Sequence, residues 1–257
     1  MQKKCTFYAD FDKNICLIQK KAVPLRRIFN RVLLGGTRKN TRLADLEGYM
    51  QRLLRQFKNI PITSSVLQAV LPQRASFTHF ISNLVDTNQL IRIKRGLYIV
   101  SPDVSGVPIN TMMIANSLYG PSYVSFSTAL NYYGLIDDVS QGIYSASIKR
   151  DKHYLTPVGR FEYIAVPASY YAVGIKQIIT NDYSFLIATP EKALCDTIVN
   201  TPGLNLRSQK DAMTYLEEDL RFDIDELKSL DISILQECAA CGVKSNSIQQ
   251  IIKLIQS

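Results

Sequence analysis

Residues 61–100, PITSSVLQAVLPQRASFTHFISNLVDTNQLIRIKRGLYIV, restrict the fold more than any other stretch. Thr63 is placed to cap a helix over 63–71. Val66, Leu67, Val70 and Leu71 then fall on one stripe at helical spacing. Pro72 ends that helix, because proline offers no amide hydrogen and crowds the preceding turn. A second helix is predicted over 75–87. Its Phe77, Phe80, Ile81, Leu84 and Val85 recur at i, i+3, i+4, i+7 and i+8 and define a buried face. The opposite face carries Ser76, Thr78, His79, Ser82, Asn83 and Asp86, short hydrogen-bonding side chains of the kind that reach base edges in a major groove. A two-stranded ribbon follows. Leu90, Ile91, Ile93, Leu97, Ile99 and Val100 form its strands, and Arg95-Gly96 its turn. With Arg92, Lys94 and Arg95 at the tip, the order helix, turn, helix, basic hairpin is that of a winged helix-turn-helix, whose cations would lie on phosphates or in the minor groove.

The charge distribution agrees with this reading. Residues 1–103 hold 18 Lys and Arg against 6 Asp and Glu, a surplus of 12. Residues 104–257 hold 12 against 16, a deficit of 4, which together with the surplus gives the net charge of +8. A basic first part favours a polyanionic partner there. No apolar run approaches the roughly 20 residues of a membrane span, and the N-terminal apolar patches are too short for a signal peptide, so the expected location is the cytoplasm.

In chain order, residues 1–40 are a basic leader with no readable order. They fit either a flexible arm adding non-specific DNA affinity or a segment upstream of a start at Met50. From Asn40 to Lys58 the pattern is helical, with Leu43, Leu46, Met50, Leu53, Leu54 and Phe57 on one face, which makes this the first helix of the three-helix core. Ser101 to Pro108 reads as a turn-rich linker. Beyond it a helix is expected over 110–118. An extended piece and a helix capped by Ser127 and stopped by Gly134 follow over 123–135. Strands are expected over 142–149, 161–166 and 184–188. Thr189-Pro190-Glu191 starts a helix that runs to about residue 199. Four helices are predicted in the tail, over 208–220, 223–229, 232–241 and 245–256. The fold class is therefore α+β. A winged helix-turn-helix over 41–103 precedes a mixed α/β domain over 107–257 with a helical C-terminus.

Three motifs carry a family likeness. They are IRIKRGLY over 91–98, STALNYYGL over 127–135 and ATPEKALCD over 188–196. In this order and spacing the chain resembles the AbiEi-type antitoxin and transcriptional-regulator family of type IV toxin–antitoxin systems, over about residues 45–200. The resemblance implies a winged helix that represses the protein's own operon. It also implies a second domain that counters a nucleotidyltransferase toxin without a stable complex. It points to wing residues Arg92, Lys94, Arg95 and Tyr98, and to motif residues Ser127, Leu130, Gly134, Thr189, Pro190, Glu191, Lys192 and Asp196. Two features depart from the family. Asn88-Gln89 stands where a glycine is common before the wing, so Asn88 is expected to adopt the left-handed conformation, and the basic leader has no counterpart. Read from the residues alone, Thr189-Pro190-Glu191 is a helix start, Gly134 a helix stop, and Lys192 with Asp196 an i, i+4 pair on a helix surface.

Catalytic signatures are missing from the sequence. It contains no GxSxG, HExxH, phosphate loop or dinucleotide fingerprint, and Gly35-Gly36 lacks the rest of a phosphate loop. Cys238 and Cys241 form one CxxC without a second, and His79 and His153 are not spaced as ligands, so reduced thiols and no metal are expected. Asp137-Asp138 has no Gly-Ser partner of the kind a nucleotidyltransferase needs. The abundant tyrosines of the second domain read as core or as a stacking surface for nucleic acid. The expectation is a non-enzymatic regulator without cofactor that reads its own promoter, an inverted repeat bound by two copies. Arg74, Ser76, Thr78, His79, Ser82, Asn83 and the wing make the contacts. Two other readings remain: an interaction module that holds a toxin directly, and a regulator whose second domain senses a ligand.

Overall fold

The computed structural model describes residues 48, 50–71, 76–137, 141–180 and 183–257. The chain divides into two compact units, Met1–Asn110 and Thr111–Ser257. The division falls a few residues after the expected linker because that linker folds back onto the first unit. Pro102–Ser105 forms a helical turn. Arg55 Nε donates to the Val104 carbonyl at 3.0 Å, and Asn59 Nδ2 to the Pro108 carbonyl at 3.0 Å.

In the first unit, residues 50–55 are helical (α1) and bury Met50, Leu53 and Leu54, with Phe57 just beyond. The helix was expected to reach Lys58. It stops sooner: Lys58 turns left-handed at φ 50°, and Ile60 precedes Pro61, whose ring disfavours the helical region for its neighbour. Strand β1 (Ile62–Thr63) leads into α2 (Ser64–Val70). Thr63 caps α2, its hydroxyl accepting from the Val66 amide at 3.4 Å. Helix α3 (Phe77–Asp86) buries Ile81 and Leu84. It ends in a Schellman closure, in which the Gln89 amide donates to the Leu84 carbonyl and the Asn88 amide to the Val85 carbonyl. Asn88 holds the left-handed position at φ 54°, as its place before the hairpin required. Strands β2 (Leu90–Lys94) and β3 (Leu97–Val100) pair antiparallel around Gly96 at φ 81°, with a register shift between Arg92 and Lys94. β1 adds a third strand on the far side of β3. Two residues are too few to leave a periodic signal, so β1 was not legible. Its role is to tie the start of α2 to the hairpin turn, where the Ser64 amide donates to the Gly96 carbonyl at 3.0 Å. All three helices and the sheet share one apolar core built on Leu53, Leu54, Leu67, Ile81, Leu84, Leu90 and Val100.

The second unit is a six-stranded mixed sheet with helices. Its strands are β4 (Ser122–Val124), β5 (Ile143–Ser147), β6 (Lys152–Thr156), β7 (Gly159–Ala165), β8 (Ile175–Ile179) and β9 (Ser184–Ala188), in the order β6-β7-β5-β4-β9-β8. β4 with β9 and β5 with β7 run parallel, and the other neighbours run antiparallel. Helix α4 is the Pro102–Ser105 turn already described, and α5 (Thr111–Leu118) packs on β4, β5 and β9. Helix α6 (Phe126–Tyr132) packs on β5 and on α8 (Pro190–Asn200), and the short α7 (Ala168–Tyr171) precedes β8. The tail holds α9 (Gln209–Thr214), a π-helical turn over Tyr215–Asp219, α10 (Ile224–Leu227), α11 (Ile232–Ala240) and α12 (Ser245–Ile255). β6 and β8 escaped the sequence reading. Each is an edge strand, buries only one side partially, and so carries no clean alternation. The cap of α6 is Ser125, not Ser127. Phe126 at φ 55° turns the chain from β4 directly into the helix, and this places Ser127 inside its first turn. Gly134 does stop α6, at φ 73° and with the Leu135 amide on the Leu130 carbonyl. Among the described residues no helix is long and apolar enough to cross a membrane.

Candidate functional site

On the first unit a groove of about 430 Å³ runs between α3 and the hairpin. Thr78 and Ser82, one helical turn apart, edge it from α3. Arg92, Arg95 and Gly96 edge it from the hairpin, and Ser64 and Gln68 of α2 close it. Thr78, Ser82, Arg92 and Arg95 are exposed, because α3 turns its apolar stripe to the core and the hairpin tip projects beyond it. Tyr98 is only 6% exposed and lies at the base of the groove, with the Arg92 guanidinium 5.9 Å from its ring centroid. Expected as a contact residue, it lines the groove and also places its ring beneath the Arg92 cation. Ser76, His79 and Asn83 are exposed on α3 outside the groove lining, and Lys94 is half-buried beside it. Arg74 lies outside the described residues, as do the basic leader and the start of the first helix. Gln68 and Asp86 also line the groove, beyond the expected contact residues. Gln68 sits on the polar side of α2, opposite Leu67 and Val70, and that pattern was the available signal.

Of the motif residues of the second unit, Leu130, Glu191, Lys192 and Asp196 go the other way, into the interior, while Ser127, Thr189 and Pro190 are half-buried and Gly134 is exposed. Thr189 caps α8, accepting from the Lys192 amide at 3.4 Å, and Pro190 takes the first helical position. Glu191, 6% exposed, accepts from the Asp231 amide at 2.9 Å, which pins the start of α11 to the start of α8. Lys192 and Asp196 pair as expected, at 3.1 Å, but not on a surface: both are 0% exposed. Lys192 Nζ donates to the Tyr170 carbonyl at 2.9 Å and lies 3.0 Å from the Tyr170 ring centroid. Asp196 Oδ2 accepts from Ser125 Oγ at 2.6 Å and Tyr123 Oη at 3.0 Å. Oδ1 faces the ammonium as an ion pair without hydrogen-bond alignment. Burial raises the Asp196 carboxyl above its ordinary range, against the opposing pull of Lys192 and Ser125. Burial, then the neighbouring carboxylate, raises the Tyr123 hydroxyl, so it stays protonated and donating. Leu130 is fully buried, Ser127 half-buried, and Gly134 serves the turn.

Gly174 explains how the cluster closes. It sits at φ +60°, its carbonyl accepts from the Thr189 amide at 2.8 Å, and a Cβ there would lie 2.7 Å from Lys192 Cβ. Only glycine lets β8 approach α8 so closely. Cys241 Sγ donates to the Glu237 carbonyl at 3.4 Å, so the CxxC thiols do not pair with each other. The three described cysteines are free, and burial pushes the Cys195 thiol up. Among the described residues no group of three His, Cys, Asp or Glu is arranged to hold a metal. The acidic run Glu217, Glu218, Asp219, Asp223, Asp225 and Glu226 is a solvated face. No protein-family model matches the chain, and neither does any curated protein.

Proposed function

We propose that the first unit is a winged helix that reads duplex DNA and that the chain is a transcriptional autoregulator. One observation carries the reading. The exposed hydroxyls of α3 and the exposed arginines of the hairpin border a single groove, with a hydrogen-bonding helix on one wall and cations on the other. That pairing suits a helix in the major groove with a basic hairpin on the adjacent backbone. Thr78, Ser82 and the neighbouring His79 and Asn83 read base edges. Arg92, Lys94 and Arg95 neutralise phosphates or enter the minor groove. Asp86, the single acid among the groove's lining residues, suits the amino group of a cytosine better than a phosphate. One such module covers a short half-site, so two copies bind an inverted repeat in the protein's own promoter.

In keeping with the AbiEi-type resemblance, the second unit is the antitoxin half of a type IV system and counters a nucleotidyltransferase toxin without forming a stable complex. Its interior motif residues scaffold that activity rather than touch a partner. The test is binding of the full chain to its own upstream DNA against scrambled DNA across a salt series, with Arg92→Ala/Lys94→Ala/Arg95→Ala beside wild type. A handful of neutralised phosphates predicts a log–log salt slope of roughly −4 to −6, shallower by about one for each phosphate that a variant leaves unneutralised. Asn83→Ala should relax discrimination at one base position, by about 1–3 kcal/mol. Equal weak binding to both DNAs, unmoved by the hairpin changes, would remove the DNA reading and leave the interaction module as the better account.

A further inference from the structure

The second unit carries a tyrosine platform that the DNA reading does not use. Tyr119, at the end of α5, and Tyr154 on β6 each meet Tyr163 on β7 edge to face, with ring centroids 5.1 and 6.0 Å away, and lie tilted to one another at 6.2 Å. Tyr163 is buried and fixed from beneath, its hydroxyl donating to the Ala115 carbonyl at 2.7 Å. Tyr119 is fixed at its edge, donating to the Arg150 carbonyl at 3.1 Å. Tyr119 and Tyr154 remain half-exposed. Cations frame them. Lys149 Nζ lies 5.3 Å from the Tyr119 centroid, anchored on the Gly120 carbonyl, and Lys152 Nζ lies 5.9 Å from that of Tyr154. Arg150 is exposed between them.

The strand register keeps acids off this face. Lys152 and Tyr154 point to the same side as Tyr163, whereas Glu162 alternates to the other side and pairs there with Arg160. Asp151, the one acid in the β5–β6 connection, spends its Oδ1 on the Ala165 amide at 2.7 Å.

We propose that this face binds single-stranded nucleic acid, two bases stacking on Tyr119 and Tyr154 while Lys149, Arg150 and Lys152 take the flanking phosphates. Rigid rings within a cationic frame are what a sequence-tolerant single-strand site needs, because every base offers a π-face and the backbone offers only charge. The rings make contacts that a plain polyanion cannot use. The site is independent of the duplex-reading groove, so either can fail without the other.

The test uses the full chain and fluorescein-labelled uridylate and thymidylate decamers, read by anisotropy with excess unlabelled duplex present to occupy the first unit. Wild type should bind. The two decamers separate RNA from DNA as the natural source. Tyr154→Leu should weaken binding about 5- to 100-fold, and Tyr154→Phe should stay near wild type. Lys149→Ala/Arg150→Ala/Lys152→Ala should make the salt slope shallower by about 2. The hairpin triple variant should bind the decamers as wild type does. Absence of decamer binding overturns the proposal. So does Tyr154→Leu at wild-type affinity, equal competition by inorganic polyphosphate of matched charge, or loss of decamer binding in the hairpin variant.

Discussion

Two clusters of polar side chains, one in each unit, have opposite environments. Around the α3–hairpin groove, Thr78, Ser82, Arg92 and Arg95 are exposed, above a floor that includes the buried Tyr98 and Ile81. Around α8, Lys192 and Asp196 are fully buried, and the Tyr170 carbonyl, Ser125 and Tyr123 supply their hydrogen-bond partners. Both sets stood out in the sequence as short motifs of polar residues, yet a motif can mark a surface that meets a partner or an interior that must be built one way. Burial separates the two. An exposed cation contributes little to stability and is available for binding, whereas a buried pair is costly to break and unavailable to any partner.

The strongest way to break this contrast is to unpair the buried cluster. Asp196→Ala leaves the Lys192 ammonium inside without a counter-charge and strips Ser125 and Tyr123 of their acceptor. The expected loss is about 3–5 kcal/mol in urea unfolding. Lys192→Met/Asp196→Leu, which removes both charges and restores apolar bulk, should recover much of it. A single change that costs under about 1 kcal/mol would mean water reaches the pair, and the interior reading of the motif would fall. Next comes Gly174→Ala. The added methyl must push β8 away from α8 against an approach of 2.7 Å, at a φ that alanine disfavours, which predicts a loss of about 1–3 kcal/mol. Gly203, also at positive φ but with nothing within 4 Å, is the control and should lose less.

The hairpin should behave in the reverse manner. Arg92→Ala/Lys94→Ala/Arg95→Ala is expected to change unfolding free energy by about 0.5 kcal/mol or less per site, the usual range for surface changes, while it reduces DNA affinity. If thermal melting fell as far as in the Asp196 variant, the hairpin cations would be structural, and the two clusters would not differ in kind.

What was legible follows the same division. Helices α2 and α8 could be placed from their caps, α3 from its stripe and the end of α6 from its stop, because Thr63, Thr189, Pro190 and Gly134 act through their own backbone neighbours. The hairpin was legible from its aliphatic run and Arg95-Gly96. Pairings between residues distant in the chain were not. The i, i+4 spacing of Lys192 and Asp196 predicts a pair, but their burial depends on Tyr123, Ser125 and Tyr170, about 22–73 residues away. Gly174 was also overlooked, because its requirement comes from a neighbouring helix and not from its own turn. Edge strands β6 and β8 left too faint a pattern to be found, since among the described residues each pairs on one side only.

The smallest effect asks whether exposure, and not the unit, decides. Asp211 lies in the second unit yet is exposed. It closes the capping box of α9, its Oδ2 accepting from the Ser208 and Arg207 amides at 3.1 Å each while Ser208 Oγ accepts from the Asp211 amide. Those backbone donors hold its carboxyl below the ordinary value of 3.8. The folded pKa is thus lower than the unfolded one, so the cap's contribution is fully present above the ordinary value and disappears as pH falls through the lowered folded value. The melting difference between wild type and Asp211→Ala should then be small, constant above about pH 5, and should shrink toward the bottom of the acid range. A buried carboxylate whose pKa is raised, as at Asp196, shifts protein stability in the opposite sense, because its folded state holds the proton to higher pH. Should Asp211→Ala melt as poorly as Asp196→Ala, or its difference grow as pH falls, polar motifs in the second unit would owe their weight to location in the chain. If the difference is small and closes in acid, burial alone sets the scale, and the exposed Arg92 and Arg95 of the hairpin serve binding and not stability.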